Sequence, residues 1–159
     1  MEITARHHLR SDGIDRLQDH LSRLFGMEIE GETFESVQFS DESFSIILVD
    51  GQPYVLEGEA GLLPTVRGAN AAEPTKRVIV VDAGAVAFVG DGADVMRPGI
   101  VEADERIAEG DPVLIAEENH RKVLAVGLAL TDGKDMLGEQ GKVVESLHYV
   151  GDEIYEFTP

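Results

Sequence analysis

Apolar residues recur at helical spacing only near the start of the chain, where Ile14, Leu17, Leu21, Leu24 and Phe25 fall on one face and Asp15, Arg16, Asp19 and Arg23 on the other. Ser11 is placed to cap this helix and Gly26 to end it. Thereafter the spacing shortens. Residues 33–39 alternate, 44–49 are apolar, and Asp50-Gly51 is a strong hairpin signal before a partner strand at 52–57 and a further strand at 62–66. Residues 68–75, GANAAEPT, are small and polar and close on a proline, which reads as a linker.

Beyond the linker come short β-branched runs at 77–81, 112–116, 122–130, 142–149 and 153–157, punctuated by Gly110-Asp111, Asp132-Gly133 and Gly151-Asp152. Short helices fit between them at 82–90, capped by Asp82, and near 134–138. The pattern predicts an α+β domain over 1–75 and a mainly-β barrel or sandwich over 76–159.

Composition narrows the chemistry. The chain has no cysteine, so disulfides, thiolate zinc sites and cysteine nucleophiles are excluded. The adjacent His7 and His8 would diverge on a strand, no Gly-x-Ser-x-Gly elbow occurs, and nothing calls for a metal, a cofactor or a catalytic role. The apolar runs at 45–49 and 78–81 are far shorter than a membrane span, and residues 1–10 carry no signal-like apolar stretch. A soluble, cytoplasmic protein with no membrane partner is expected.

Charge is the dominant feature, with 31 acids facing 13 bases, four of them lysine. The excess is even: 14 acids and 6 bases in residues 1–76, 17 and 7 in the remainder. A uniform acidic surface that prefers arginine reads as adaptation to multimolar salt, where a Debye length of about 3 Å nearly extinguishes long-range repulsion of a polyanion.

The segment Val81-Asp82-Ala83-Gly84-Ala85-Val86, followed by Gly92-Ala93-Asp94-Val95-Met96-Arg97-Pro98-Gly99-Ile100, Gly127 and 141–149 (GKVVESLHY), closely resembles a PUA domain. This RNA-binding module is named for pseudouridine synthases and archaeosine transglycosylases. The first half, ending in Pro64-Thr65-Val66-Arg67, resembles the pre-PUA domain of the malignant T-cell-amplified sequence family of translation factors. The resemblance implies an α+β N-terminal domain followed by a mainly-β PUA pseudo-barrel. It also implies no catalytic domain, and a role in handling tRNA or rRNA, with the small ribosomal subunit or a protein partner meeting the first half.

The residues themselves exclude a phosphate loop, because no Gly-x-x-x-x-Gly-Lys-Ser/Thr occurs, and a dinucleotide fingerprint, because Val95 stands where the third glycine belongs. Gly84 and Ala85, in the first turn of a helix, leave backbone uncovered for a ligand, or else Gly84 permits close helix-to-sheet packing. Pro98 forces Arg97 into an extended conformation beside Gly99, presenting a guanidinium to a base or phosphate, unless a nearby acid pairs it. Met96 reads as core. On the strand 142–149, alternation prevents His148 and Tyr149 from both being buried, so one is available beside Lys142 for stacking on an unpaired base, the alternative being Tyr149 in the core with His148 as a hydrogen-bonded neighbour.

Salt then selects the RNA. For single strands, affinity falls by about 0.7 decade per decade of salt for each neutralised phosphate, so going from 0.1 to about 3 M costs about tenfold per contact. A lysine-poor site must rely on stacking and shape, which favours a splayed, single-stranded tRNA or rRNA end over a duplex. Two other readings stay open: an RNA-delivering accessory subunit of a tRNA- or rRNA-modifying enzyme, and a protein-interaction module that uses the PUA fold as scaffold.

Overall fold

The computed structural model describes all 159 residues. Five antiparallel strands, β1 (Ile3–His8), β2 (Phe34–Phe39), β3 (Ser45–Val49), β4 (Gln52–Gly58) and β5 (Gly61–Pro64), form a sheet in chain order. Helix α1 (Ser11–Phe25) lies against it and buries Leu17, Leu21 and Phe25. Gly26 ends α1 in the left-handed conformation, φ 63°, its N–H reaching Leu21 and Ser22 carbonyls. The start differs from expectation by one residue: Arg10 is the N-cap, without a side-chain cap bond, and Ser11 is the first helical residue. The Asp50-Gly51 turn joins β3 to β4 with both φ positive, at 49° and 83°. Strand β1 carried no alternation because it is the sheet edge and exposes most of its residues.

The expected linker at 68–75 is mostly a helix, α2 (Val66–Ala72), with Val66, Gly68 and Ala69 buried. Thr65 caps it by accepting the Gly68 N–H at 3.0 Å. The small residues that looked like linker composition are needed for contact: a Cβ on Gly68 would collide with the Tyr54 carbonyl.

The second half is a six-stranded sheet of β6 (Val78–Val81), β7 (Val95–Met96), β8 (Ile100–Ala103), β9 (Pro112–Glu117), β10 (Val123–Ala129) and β11 (Lys142–Tyr149), in the order β7-β11-β10-β9-β6-β8. All neighbours are antiparallel except β6 and β9. The edge strands β7 and β8 are joined by a single 3-10 turn, Arg97–Gly99. Both edges of the sheet therefore meet, curling it into the expected pseudo-barrel. Helix α3 (Ala83–Gly90) has Asp82 as its cap, as expected. Two expectations fail. Residues 153–157 are not a strand but contain helix α4 (Glu153–Glu156), because Asp152 accepts the Tyr155 N–H and caps a turn instead. Only a 3-10 turn, Gly133–Asp135, occupies the expected second helix.

Strands β9 and β10 are buried on both faces. Val113, Ile115 and Ala125 fill the barrel, whereas Leu114, Ala116, Val123 and Val126 join Leu17, Phe25 and Val66 in one cluster of 22 buried residues. The halves thus share a core, and α2 is part of the wedge between them. No helix is long and apolar enough to cross a membrane.

Candidate nucleic-acid interface

A groove of about 740 Å³ runs between α3 and the β7–turn–β8 segment, lined by Gly84, Ala85, Pro98, Gly99 and Lys142 among the expected residues. Asp82 fixes its upper edge: its carboxylate accepts the Ala85 N–H at 3.0 Å and its own N–H donates to the Gly99 carbonyl at 2.9 Å. Gly99 is required by close approach, since a Cβ there would lie 2.8 Å from the Ala85 Cβ. Gly84 is not, because its Cβ would meet only the Asp82 carboxylate at 3.3 Å. Helix-to-sheet packing therefore does not explain Gly84.

Helix α3 has no charged residue, and only Val89 of its eight residues is buried. Phe88 is 68% exposed and Met96, across the groove, 49% exposed. Met96 is thus not core, contrary to expectation, because β7 is an edge strand of two residues. Sequence reasoning passed over Phe88, although an apolar helix without a polar face was the available signal.

Lys142 reaches Asp94 at 3.2 Å, and the other oxygen of Asp94 accepts the Ser146 N–H at 2.8 Å. The Ser146 amide, and then the Lys142 ammonium, hold the Asp94 carboxyl below the usual carboxylate range. The groove accordingly has an ion pair at one end, the Asp82 carboxylate at its edge, and otherwise uncharged walls.

Arg97 departs from expectation. It begins the 3-10 turn rather than extending a strand, and its side chain lies outside the groove lining. Its Nε donates to the Asp135 carbonyl at 2.9 Å, its Nη1 to the Gln140 carbonyl at 3.0 Å, and its backbone N–H to the Gly141 carbonyl at 2.9 Å. Carbonyls, rather than an acid, hold the guanidinium, which ties down the loop before β11.

His148 is fully buried, so it offers no stacking face. Its Nε2 accepts the Val66 N–H at 3.0 Å and its Nδ1 donates to Asp152 at 2.8 Å. Those partners fix the tautomer with the proton on Nδ1. Tyr149 is half-buried, with its ring against Gly92, and it too lies outside the groove lining. Alternation holds from Val144 to His148, with Glu145 and Leu147 exposed, and the β10–β11 register shifts opposite Leu147; it breaks only at Val143 and Val144, which are both buried.

Comparison with known proteins adds three findings. The PUA domain family matches residues 77–150. Among curated proteins, an uncharacterized protein of Methanocaldococcus jannaschii is 39% identical over 99% of both chains, and the translation machinery-associated protein 20 of Eremothecium gossypii is 30% identical over 61% of this chain and 58% of its own. Among solved structures, a hypothetical protein from Pyrococcus horikoshii superposes with a TM-score of 0.85 at 34% identity, covering 98% of this chain and all of that one.

Proposed function

Because the chain belongs to the PUA-domain proteins related to the malignant T-cell-amplified sequence and translation machinery-associated proteins, we propose that it is a noncatalytic RNA-binding protein of translation that holds an unpaired tRNA or rRNA end in the α3–β7 groove. Residues 76–159 form the RNA-binding unit on this reading, and residues 1–75 dock to the ribosome or a protein partner in the cytoplasm.

The observation that carries this reading is the exposed Phe88 on the uncharged wall of a groove whose lysine is already paired. An aromatic face beside bare backbone at Gly84 suits a splayed nucleobase. Base–aromatic stacking contributes about 1–3 kcal/mol per base and, unlike phosphate pairing, survives concentrated salt. Gly84, Ala85, Pro98, Gly99 and Met96 line the same groove as Phe88 and on this reading complete the pocket for the base.

The test is binding of labelled tRNA with and without its 3′ CCA in concentrated KCl. Wild type should prefer the CCA form, and Phe88→Ala should lose about tenfold in affinity for it, the equivalent of about 1.4 kcal/mol. Equal binding of both tRNAs by both proteins would refute the groove as the RNA site.

A further inference from the structure

A second cavity, of about 430 Å³, opens at the seam between the two halves, where α2 faces the tip of the β9–β10 hairpin. His120, Arg121 and Lys122 line it, with Glu73 as the lone acid. The chain has only two adjacent pairs of cations, Lys76-Arg77 and Arg121-Lys122, and both adjoin this seam, the first immediately after the lining residue Thr75.

Most cations of this protein are already satisfied. Seven of the arginines and lysines pair with carboxylates, and Arg67, Lys76 and Arg97 donate to backbone carbonyls. Lys122 is one of three left over, with Arg10 and Lys134, and it lines the seam cavity. A shortage of acids is not the reason.

Glu117 stands at the base of the same hairpin, but its carboxylate accepts the backbone N–H groups of Lys122 at 3.0 Å, His120 at 2.6 Å and Asn119 at 3.0 Å. Those amides, with that of Lys122 foremost, hold the Glu117 carboxyl below its usual range. Glu118, next along, accepts the Ala83 N–H at 3.3 Å. Both neighbouring acids are thus occupied by backbone, and the exposed side chains of His120 and Lys122 make no hydrogen bond or ion pair of their own. Arg121 shares its charge with Glu102 at 2.9 Å.

The Glu118–Ala83 bond also ties the β9–β10 hairpin to the start of α3. Ala83 opens α3 between Asp82 and Gly84, which line the groove mouth.

We propose that the seam is a backbone-phosphate site for the same RNA strand whose unpaired end occupies the groove, with Lys122 as the principal contact and Arg121 and His120 beside it. This rests on the groove reading given above. The two sites divide the work: stacking retains the end, and the seam fixes the direction in which the following nucleotides run.

The experiment uses the full chain and two single-stranded RNAs sharing one 3′ end, four and twelve nucleotides long, titrated from 0.3 to 3 M KCl. Wild type should bind the longer RNA more tightly and with a steeper salt dependence. Lys122→Gln should lower that slope by about 0.7, one phosphate contact, and leave the four-nucleotide affinity unchanged, whereas Phe88→Ala should weaken both RNAs. Equal slopes for the two RNAs, or a slope that neither Lys122→Gln nor the Arg121→Gln/Lys122→Gln double variant alters, would overturn the seam while leaving the groove standing, and would assign the seam to an acidic protein surface. Failure of wild type to bind either RNA would remove both readings together.

Discussion

The buried imidazole of His148 accepts a 3.0 Å hydrogen bond from the backbone amide of Val66, a residue 82 positions earlier in the chain. That amide is one of the unsatisfied donors at the start of α2, so a side chain of the barrel completes a helix of the first half. On the other ring nitrogen Asp152 holds the tautomer and caps α4. One side chain thus ties together three elements that share the central core.

His148→Ala should therefore destabilise the protein by about 3 kcal/mol, because it strands the Val66 amide, leaves the Asp152 carboxylate without its donor and opens a cavity. Denaturant unfolding at constant salt measures it. Because His148 lies outside the groove, RNA affinity of the folded fraction should not change.

Burial pushes the Asp152 carboxyl up, but hydrogen bonds from His148 and from the Tyr155 and Tyr149 amides outweigh it and leave the group below its usual range. A carboxyl with a depressed folded-state value contributes stability that is present above its unfolded value, about 3.9, and lost as pH falls through the folded one. The contribution of Asp152 to the unfolding free energy should be fully present above about pH 5 and decline below about pH 4. Asp152→Asn should flatten part of that acid limb, and an unchanged pH profile would refute the assignment.

Gly99→Ala places a methyl 2.8 Å from the Ala85 Cβ and should cost about 1–2 kcal/mol by forcing α3 away from the turn. Ala85→Gly in the same chain should recover most of that loss. Gly84→Ala, with only a carboxylate nearby, should leave thermal stability within about 0.5 kcal/mol of wild type while narrowing the groove. Thermal unfolding of the three variants beside wild type reads both contrasts.

Arg97→Ala should loosen residues 135–141, whose carbonyls it holds, and raise amide exchange and protease cleavage there. Lysine cannot reproduce the two-carbonyl geometry of the guanidinium, so Arg97→Lys should protect the loop only partly.

Local chemistry made much of the fold legible. The heptad-like face of α1 and its Gly26 stop, the Asp50-Gly51 turn, the Asp82 cap and the strand 142–149 all follow from interactions between residues a few positions apart. The groove glycines were visible for the same reason, since a missing side chain is missing in any fold. Phe88 was written in the sequence too, as the bulkiest residue of a helix without a polar face.

By itself, then, the sequence determined the class of fold, the order of most elements and one wall of the groove, because periodicity, caps and turns act over short stretches of chain. Tertiary structure decided the rest. Whether 68–75 links or packs depends on the Tyr54 carbonyl. What His148 bonds depends on an amide 82 residues away. Arg97 met the carbonyls of Asp135 and Gln140 instead of facing the groove. In each case burial and hydrogen bonding are satisfied by partners distant in sequence, and only folding brings those partners within reach.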